Sequence, residues 1–188
     1  MVNNLEQIKS LLTFETSDVF YFLQILKRRK ENPDMKGDVM LIKTYYITSP
    51  DHLERLFGEV KLLCDYHNAR AYFSLNQKSF KKCAFYSLKE ITDCLLHETY
   101  KKVKNTYTSV VGQTSGARSN KTWIVDVDIV GQEGTDEVDR IKTMLGELYV
   151  TTVQTKNGFH VICKPHNPKE YQFEHDVHKN NPTILYVA

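Results

Sequence analysis

The sequence predicts an α/β or α+β fold, a mixed sheet flanked by helices, and three observations point there. Runs rich in β-branched and aromatic residues, such as DVFYFLQIL and VMLIKTYYI, alternate with stretches of helical periodicity. Adjacent extended runs are joined by turn chemistry, most plainly Asn157-Gly158 between VTTVQT and FHVICKP. No repeat or Pro/Gly/Ser-rich linker interrupts the chain, so residues 1–188 read as one domain, with residues 1–67 as a hairpin and helix and residues 68–188 as the rest of the core.

Each element has its own local reason. From Asp18 to Leu26 the chain has β-character, KRRKENPDMKGD supplies turn residues and charge, and VMLIKTYYI returns, which suits a long antiparallel hairpin. A helix over residues 18–30 is the alternative. Ser49 is suited to cap a helix and Pro50 to its first position, after which Leu53, Leu56, Phe57, Val60, Leu63 and Cys64 recur on one face. The stretch ARAYFSLNQKS alternates Ala71, Phe73 and Leu75 with Arg70, Tyr72 and Ser74, as a half-exposed strand beginning at Arg70. Ser87 is expected to cap a second helix whose face is Leu88, Ile91, Leu95 and Leu96, followed by KKVK and a polar surface loop, VVGQTSGARSNK. A strand TWIVDVD, a helix with Val138, Ile141, Leu145 and Leu148 at helical spacing, the Asn157-Gly158 hairpin and a closing strand TILYV complete the order.

Composition excludes more than it assigns. The chain has 188 residues and 41% hydrophobic content, enough for a core without disulfides or a structural metal. Its longest apolar stretches, such as Val19 to Leu26, fall short of the roughly 18 residues a membrane span needs, and MVNNLEQIKS lacks a signal peptide's basic start and apolar block. Neither a membrane nor a secreted protein is expected. Cys64, Cys83, Cys94 and Cys163 form no CxxC pair, which fits reduced, buried thiols of an intracellular, cytoplasmic protein and excludes a zinc ribbon. With 25 Lys and Arg against 23 Asp and Glu, any binding to phosphates must come from local clusters. Lys27, Arg28, Arg29 and Lys30 at the hairpin tip, and Lys101, Lys102 and Lys104, are two such clusters; each reads as a nucleic-acid track or as a solvated basic face. P-loop, nucleophile-elbow and dinucleotide-binding motifs are missing, and His166, His175 and His178 match no usual zinc spacing.

The string that carries chemistry is TWIVDVD. In a strand, residues two apart share a face, so Asp126 and Asp128 project together while Val125 and Val127 turn to the core. Paired carboxylates repel, and a hard divalent cation that takes oxygens from both relieves this; Mg²⁺ is held by one or two carboxylates plus substrate phosphates. Two solvent-facing Asp at a strand end are the plainer reading. Further along, TKNGFH sets Gly158, small enough for close approach to an anion, two residues before His160, an imidazole able to donate to a phosphate oxygen. A third acid, Asp176, precedes Lys179 and the closing strand.

A strand-borne DxD, then small-x-His, then a late acid across an α/β sheet resembles the archaeo-eukaryotic primase superfamily, the catalytic core of primases and primase-polymerases. Asp126 and Asp128 match its first motif, Gly158-Phe159-His160 its second, and Asp176 its third, with Glu174 after Phe173 as the competing choice. The resemblance covers residues 68–188 and leaves the N-terminal hairpin and helix unmatched. It implies a primase-type palm and a DNA-templated nucleotidyltransferase using nucleoside triphosphates. Asp126, Asp128 and Asp176 would hold two Mg²⁺ or Mn²⁺ ions, and His160 and Lys156 beside Gly158 the triphosphate. Arg70 and Lys179 would be further phosphate contacts, and Arg118 would reach nucleotide or template. A separate helicase or replication protein is the implied partner, and His178 is expected to be dispensable. A catalytically silent nucleic-acid-binding module and a metal-dependent nuclease are the alternatives on the same residues.

Overall fold

The computed structural model describes residues 1–113 and 121–188. The class is α+β, but the expected single mixed sheet is replaced by two sheets in which every paired strand is antiparallel. The first takes β1 (Val2–Asn3), β2 (Val19–Arg28), β3 (Val39–Ile47), β4 (Arg70–Ser79) and β9 (Thr183–Val187) in the order β1-β9-β4-β2-β3. The second takes β5 (Trp123–Val127), β6 (Tyr149–Gln154), β7 (Phe159–Cys163) and β8 (Asp176–His178) in the order β6-β7-β5-β8.

The N-terminal hairpin forms as its composition requires, β2 pairing β3 from Tyr21↔Ile47 to Arg28↔Val39 with a register shift between Ile25 and Leu26. Before it lies α1 (Leu5–Ser10), and after it α2 (Pro50–His67). The Ser49 side chain accepts from the His52 amide at 3.0 Å, Pro50 opens α2, and Asn68 closes it in the left-handed region at φ 47°. Leu53, Val60 and Cys64 pack this helix onto Leu23, Ile25, Tyr45 and Phe73 of the first sheet.

The next helix departs from expectation. α3 runs Phe80–Leu96 with Ser79, not Ser87, as its cap, the Ser79 hydroxyl accepting from the Lys82 amide at 3.0 Å. Its inward face is Cys83, Ser87 and Cys94, whereas Leu88, Leu95 and Leu96 are exposed. Ser87 is therefore mid-helix, and its buried hydroxyl has no partner among the described residues. A short 3-10 turn, Tyr100–Asn105, leads into α4 (Thr106–Gln113), which occupies part of the stretch expected to be loop. Val110 and Val111 of α4 join Cys83 against Phe20 and Phe22.

β4 is buried along nearly its whole length, not half-exposed, because the second sheet and helices cover both of its faces. The Asn76 amide ties the sheets together, donating to the Thr122 carbonyl at 3.2 Å and accepting from the Thr122 amide at 2.8 Å just before β5. Asn4 does the same at the other end, donating to the carbonyls of Gln154 and Ile184, each at 2.9 Å. The outer face of the second sheet carries α5 (Gly131–Leu145), with Val138, Ile141 and Leu145 on Val125, Val127, Val161 and Cys163. All four cysteines are buried free thiols, and burial pushes Cys64 up to about 12 and Cys163 to about 11. Among the described residues no helix is long and apolar enough to cross a membrane.

β9 is wholly buried, as its apolar sequence requires, but between β1 and β4 and not beside β5. The segment ahead of it forms the separate short strand β8, and this is the element that runs beside β5.

Candidate functional site

β5 sorts its side chains by alternation. Val125 and Val127 are fully buried against α5, which turns Asp126 to the opposite face. In the ladder, Asp126 lies across from His160 of β7 on one side and from Asp176 of β8 on the other. Residues directly opposite share a face, so His160, Asp126 and Asp176 form one row across the second sheet.

The row is held by specific contacts. His160 Nε2 is 3.4 Å from one carboxylate oxygen of Asp126, and its Nδ1 is 2.9 Å from the hydroxyl of Thr183, a fully buried residue of β9. His178 Nε2 lies 3.8 Å from the other Asp126 oxygen. The His160 imidazole beside it holds the Asp126 carboxyl below its ordinary value of 3.8; His178 and His175 nearby add to this, and burial opposes it.

This face looks onto the first sheet across a cavity of about 270 Å³. Asp126, Asp128, His160 and His178 line one side, and Arg28, Lys30, Arg70 and Tyr72 line the other. Arg28 donates to the Tyr72 hydroxyl at 3.2 Å, and that bond, with Glu31 and Asp128 nearby, holds the guanidinium proton more firmly than usual. Arg70 opens β4 as expected, but its side chain is only 9% exposed and pairs with Glu31. Its buried Nε has no partner among the described residues, an omission that costs about 1–3 kcal/mol. Carboxylates thus face cations across one cavity, the arrangement a phosphate ester with a bound cation would complete.

Several expected site residues stand elsewhere. Lys156 is exposed on the β6–β7 turn and does not line the cavity, though its neighbours Thr155 and Asn157 do. Lys179 places its ammonium 4.8 Å over the Trp123 ring, which belongs to the core on the α5 side of the sheet, so it faces away from Asp126. Gly158 is small for a backbone reason: a Cβ there would meet the Val127 carbonyl oxygen at 2.0 Å and the Ile129 amide at 2.9 Å. The close approach it permits is to the strand bearing the acids. Asp176 is across from Asp126 in register but is exposed and outside the cavity lining. Glu174, its competitor, lies within electrostatic reach of Arg140 on α5, the other side of the sheet. Arg118 falls outside the described residues.

Arg28, Lys30 and His178 also line the cavity, although none of them is among the site residues expected from the sequence. In the sequence Arg28 is only one of four consecutive basic residues; in the structure it ends β2 and donates to the Tyr72 hydroxyl at the cavity. His178 was legible only as one of three histidines, which separate in space: His175 pairs with Glu137 at 2.8 Å, and His166 packs on Trp123, Tyr171 and Phe173. The alternation of β8 carries the missing signal, since His178 lies two residues from Asp176. Among the described residues no group of three or more His, Cys, Asp or Glu side chains is gathered as a metal centre. Compared with known proteins, the chain matches no family model, no curated protein and no solved structure.

Proposed function

We propose that this chain is a primase-like nucleotidyltransferase, extending or initiating a strand on a DNA template from nucleoside triphosphates. The observation that carries the reading is the single cavity in which Asp126 and Asp128 face Arg28, Lys30 and Arg70. The motif resemblance of WIVDVD and GFH adds to it. The donor set fits a hard divalent cation, because two carboxylates on one wall suffice where substrate phosphates supply further oxygens. Asp126 and Asp128, with Asp176 as the neighbouring third acid, would hold Mg²⁺ or Mn²⁺, which when bound supplies charge neutralisation and activation of the attacking hydroxyl.

The reaction forms a bond between a primer 3′-oxygen and the α-phosphorus and breaks the bond to the β-phosphate, releasing pyrophosphate and the hydroxyl proton. The chain's contribution is placement. His160, fixed by Thr183 at Nδ1, presents Nε2 to Asp126 and to any phosphate that enters. His178 steadies the second Asp126 oxygen. A cavity of about 270 Å³ is below the roughly 300–1,000 Å³ of sites that enclose a drug-sized ligand, so it takes part of a nucleotide and leaves the rest open for a template.

The test is incubation of labelled single-stranded DNA with Mg²⁺ or Mn²⁺, with and without nucleoside triphosphates. Elongated or newly made strands only when triphosphates are present support the reading. Shortened strands without triphosphates indicate the nuclease, and binding with neither product indicates the silent module.

A further inference from the structure

The motif resemblance begins at residue 68, yet two of the cations in the wall opposite the acids, Arg28 and Lys30, come from the segment before it. Arg28 ends β2 and Lys30 lies in the turn that follows. We infer that Arg28 and Lys30 form the subsite for the polyphosphate of the incoming nucleotide, so that the N-terminal hairpin is part of substrate binding. The inference rests on the reading above for the identity of the nucleotide, and on geometry alone for the polyphosphate.

Three observations support it. Among the described residues neither Arg28 nor Lys30 forms an ion pair, and both line the cavity. The Tyr72 hydroxyl accepts from one Arg28 nitrogen and orients the guanidinium, leaving its other donors for a ligand, and a planar fork of donors suits phosphate oxygens. In the same wall Arg70, 9% exposed and paired with Glu31, adds a third cation, and its Nε has no partner among the described residues. Lys156 and Lys179, the lysines that the resemblance supplies for this role, do not line the cavity.

The same chemistry could serve the phosphodiesters of DNA. The concavity decides against that source. A strand's backbone needs an open track, whereas these cations share a cavity of about 270 Å³ with Asp126 and Asp128, whose own charge repels an anion unless it arrives with a cation attached. A metal-bound polyphosphate tail meets both walls at once.

The test uses the full chain, with inorganic tripolyphosphate as the probe in calorimetric titration and labelled single-stranded DNA in fluorescence anisotropy. The double variant Arg28→Gln with Lys30→Gln is compared with Lys27→Gln with Arg29→Gln, which makes the same charge change on the same hairpin at residues that do not line this cavity. The expected result is a loss of tenfold or more in tripolyphosphate affinity for the first pair only, with DNA affinity changed by less than threefold. Equal losses for the two pairs, no loss for either, a larger loss for DNA than for tripolyphosphate, or a wild-type chain that fails to bind the probe each overturns it. If the first pair behaves as expected while the wild-type chain makes no strands, the polyphosphate subsite stands and the nucleotidyltransferase reading falls.

Discussion

Replacing Gly158 by Ala puts one methyl group where the backbone of β5's end already is. The added Cβ would lie 2.0 Å from the Val127 carbonyl oxygen and 3.0 Å from that of Ile129, where ordinary contact begins at 3.4 Å. Neither neighbour is the movable end of a side chain, so relief requires the β6–β7 turn or the Val127–Ile129 backbone to shift by more than an ångström. The first carries His160 two residues on, and the second carries Asp128. Overpacking against backbone is expected to cost about 3 kcal/mol, the upper end of the usual range. Gly58→Ala is the matched control: it lies inside α2 with nothing within 4 Å of an added Cβ, and should gain about 0.5–1 kcal/mol through helix propensity. Urea unfolding of the two variants reads both signs. A Gly158→Ala chain as stable as the wild type would refute the packing at this turn, and with it the placement of His160 beside Asp126.

Three further outcomes follow from the same structure. Ser79→Ala should lose about 1 kcal/mol in urea unfolding because it removes the α3 cap, while Ser87→Ala should gain about 1 kcal/mol by removing a buried hydroxyl without a partner; the reverse order would return the cap to Ser87. Because the folded Asp126 carboxyl sits below its ordinary value of 3.8, its contribution to stability is present above that value and is lost as pH falls through the folded one; Asp126→Asn should flatten this part of the acid-unfolding curve, and an unchanged curve would contradict the His160 contact. Thr183→Val removes the hydroxyl at His160 Nδ1 and should weaken nucleoside triphosphate binding about tenfold while His160→Ala weakens it at least as much; a Thr183→Val chain with wild-type affinity would mean that the contact does not position the imidazole.

What was legible in the sequence was local. Ser49-Pro50 opening α2, Asn157-Gly158 turning β6 into β7, and the alternation that splits Asp126 from Val125 and Val127 each depend on neighbours within a few residues, and each is found. What was missed depends on distant partners. Leu88, Leu95 and Leu96 are more hydrophobic than Cys83, Ser87 and Cys94, yet Phe20, Phe22 and Val111 meet the second set, so hydrophobicity alone chose the wrong face of α3. Ser79 precedes Phe80 and two lysines and not an apolar run, so the apolar period that starts at Leu88 points to Ser87. The division into two sheets is a matter of pairing between separated segments, β9 joining β4 across more than 100 residues and β7 joining β5 across more than 30, with no trace of that choice in TILYV or FHVIC. In the site, Asp126, Asp128, His160 and Arg70 line one cavity, whereas Arg28 enters it from the end of β2 through its hydrogen bond to Tyr72, which four consecutive basic residues do not reveal.

The most direct test of the account is a crystal grown with Mn²⁺ and a nontransferable nucleoside triphosphate, with the anomalous signal locating the metal. The account expects Mn²⁺ against Asp126 and Asp128, and the polyphosphate reaching across the cavity to Arg28 and Lys30. Nucleotide bound outside this cavity, or metal bound away from both carboxylates, would contradict it.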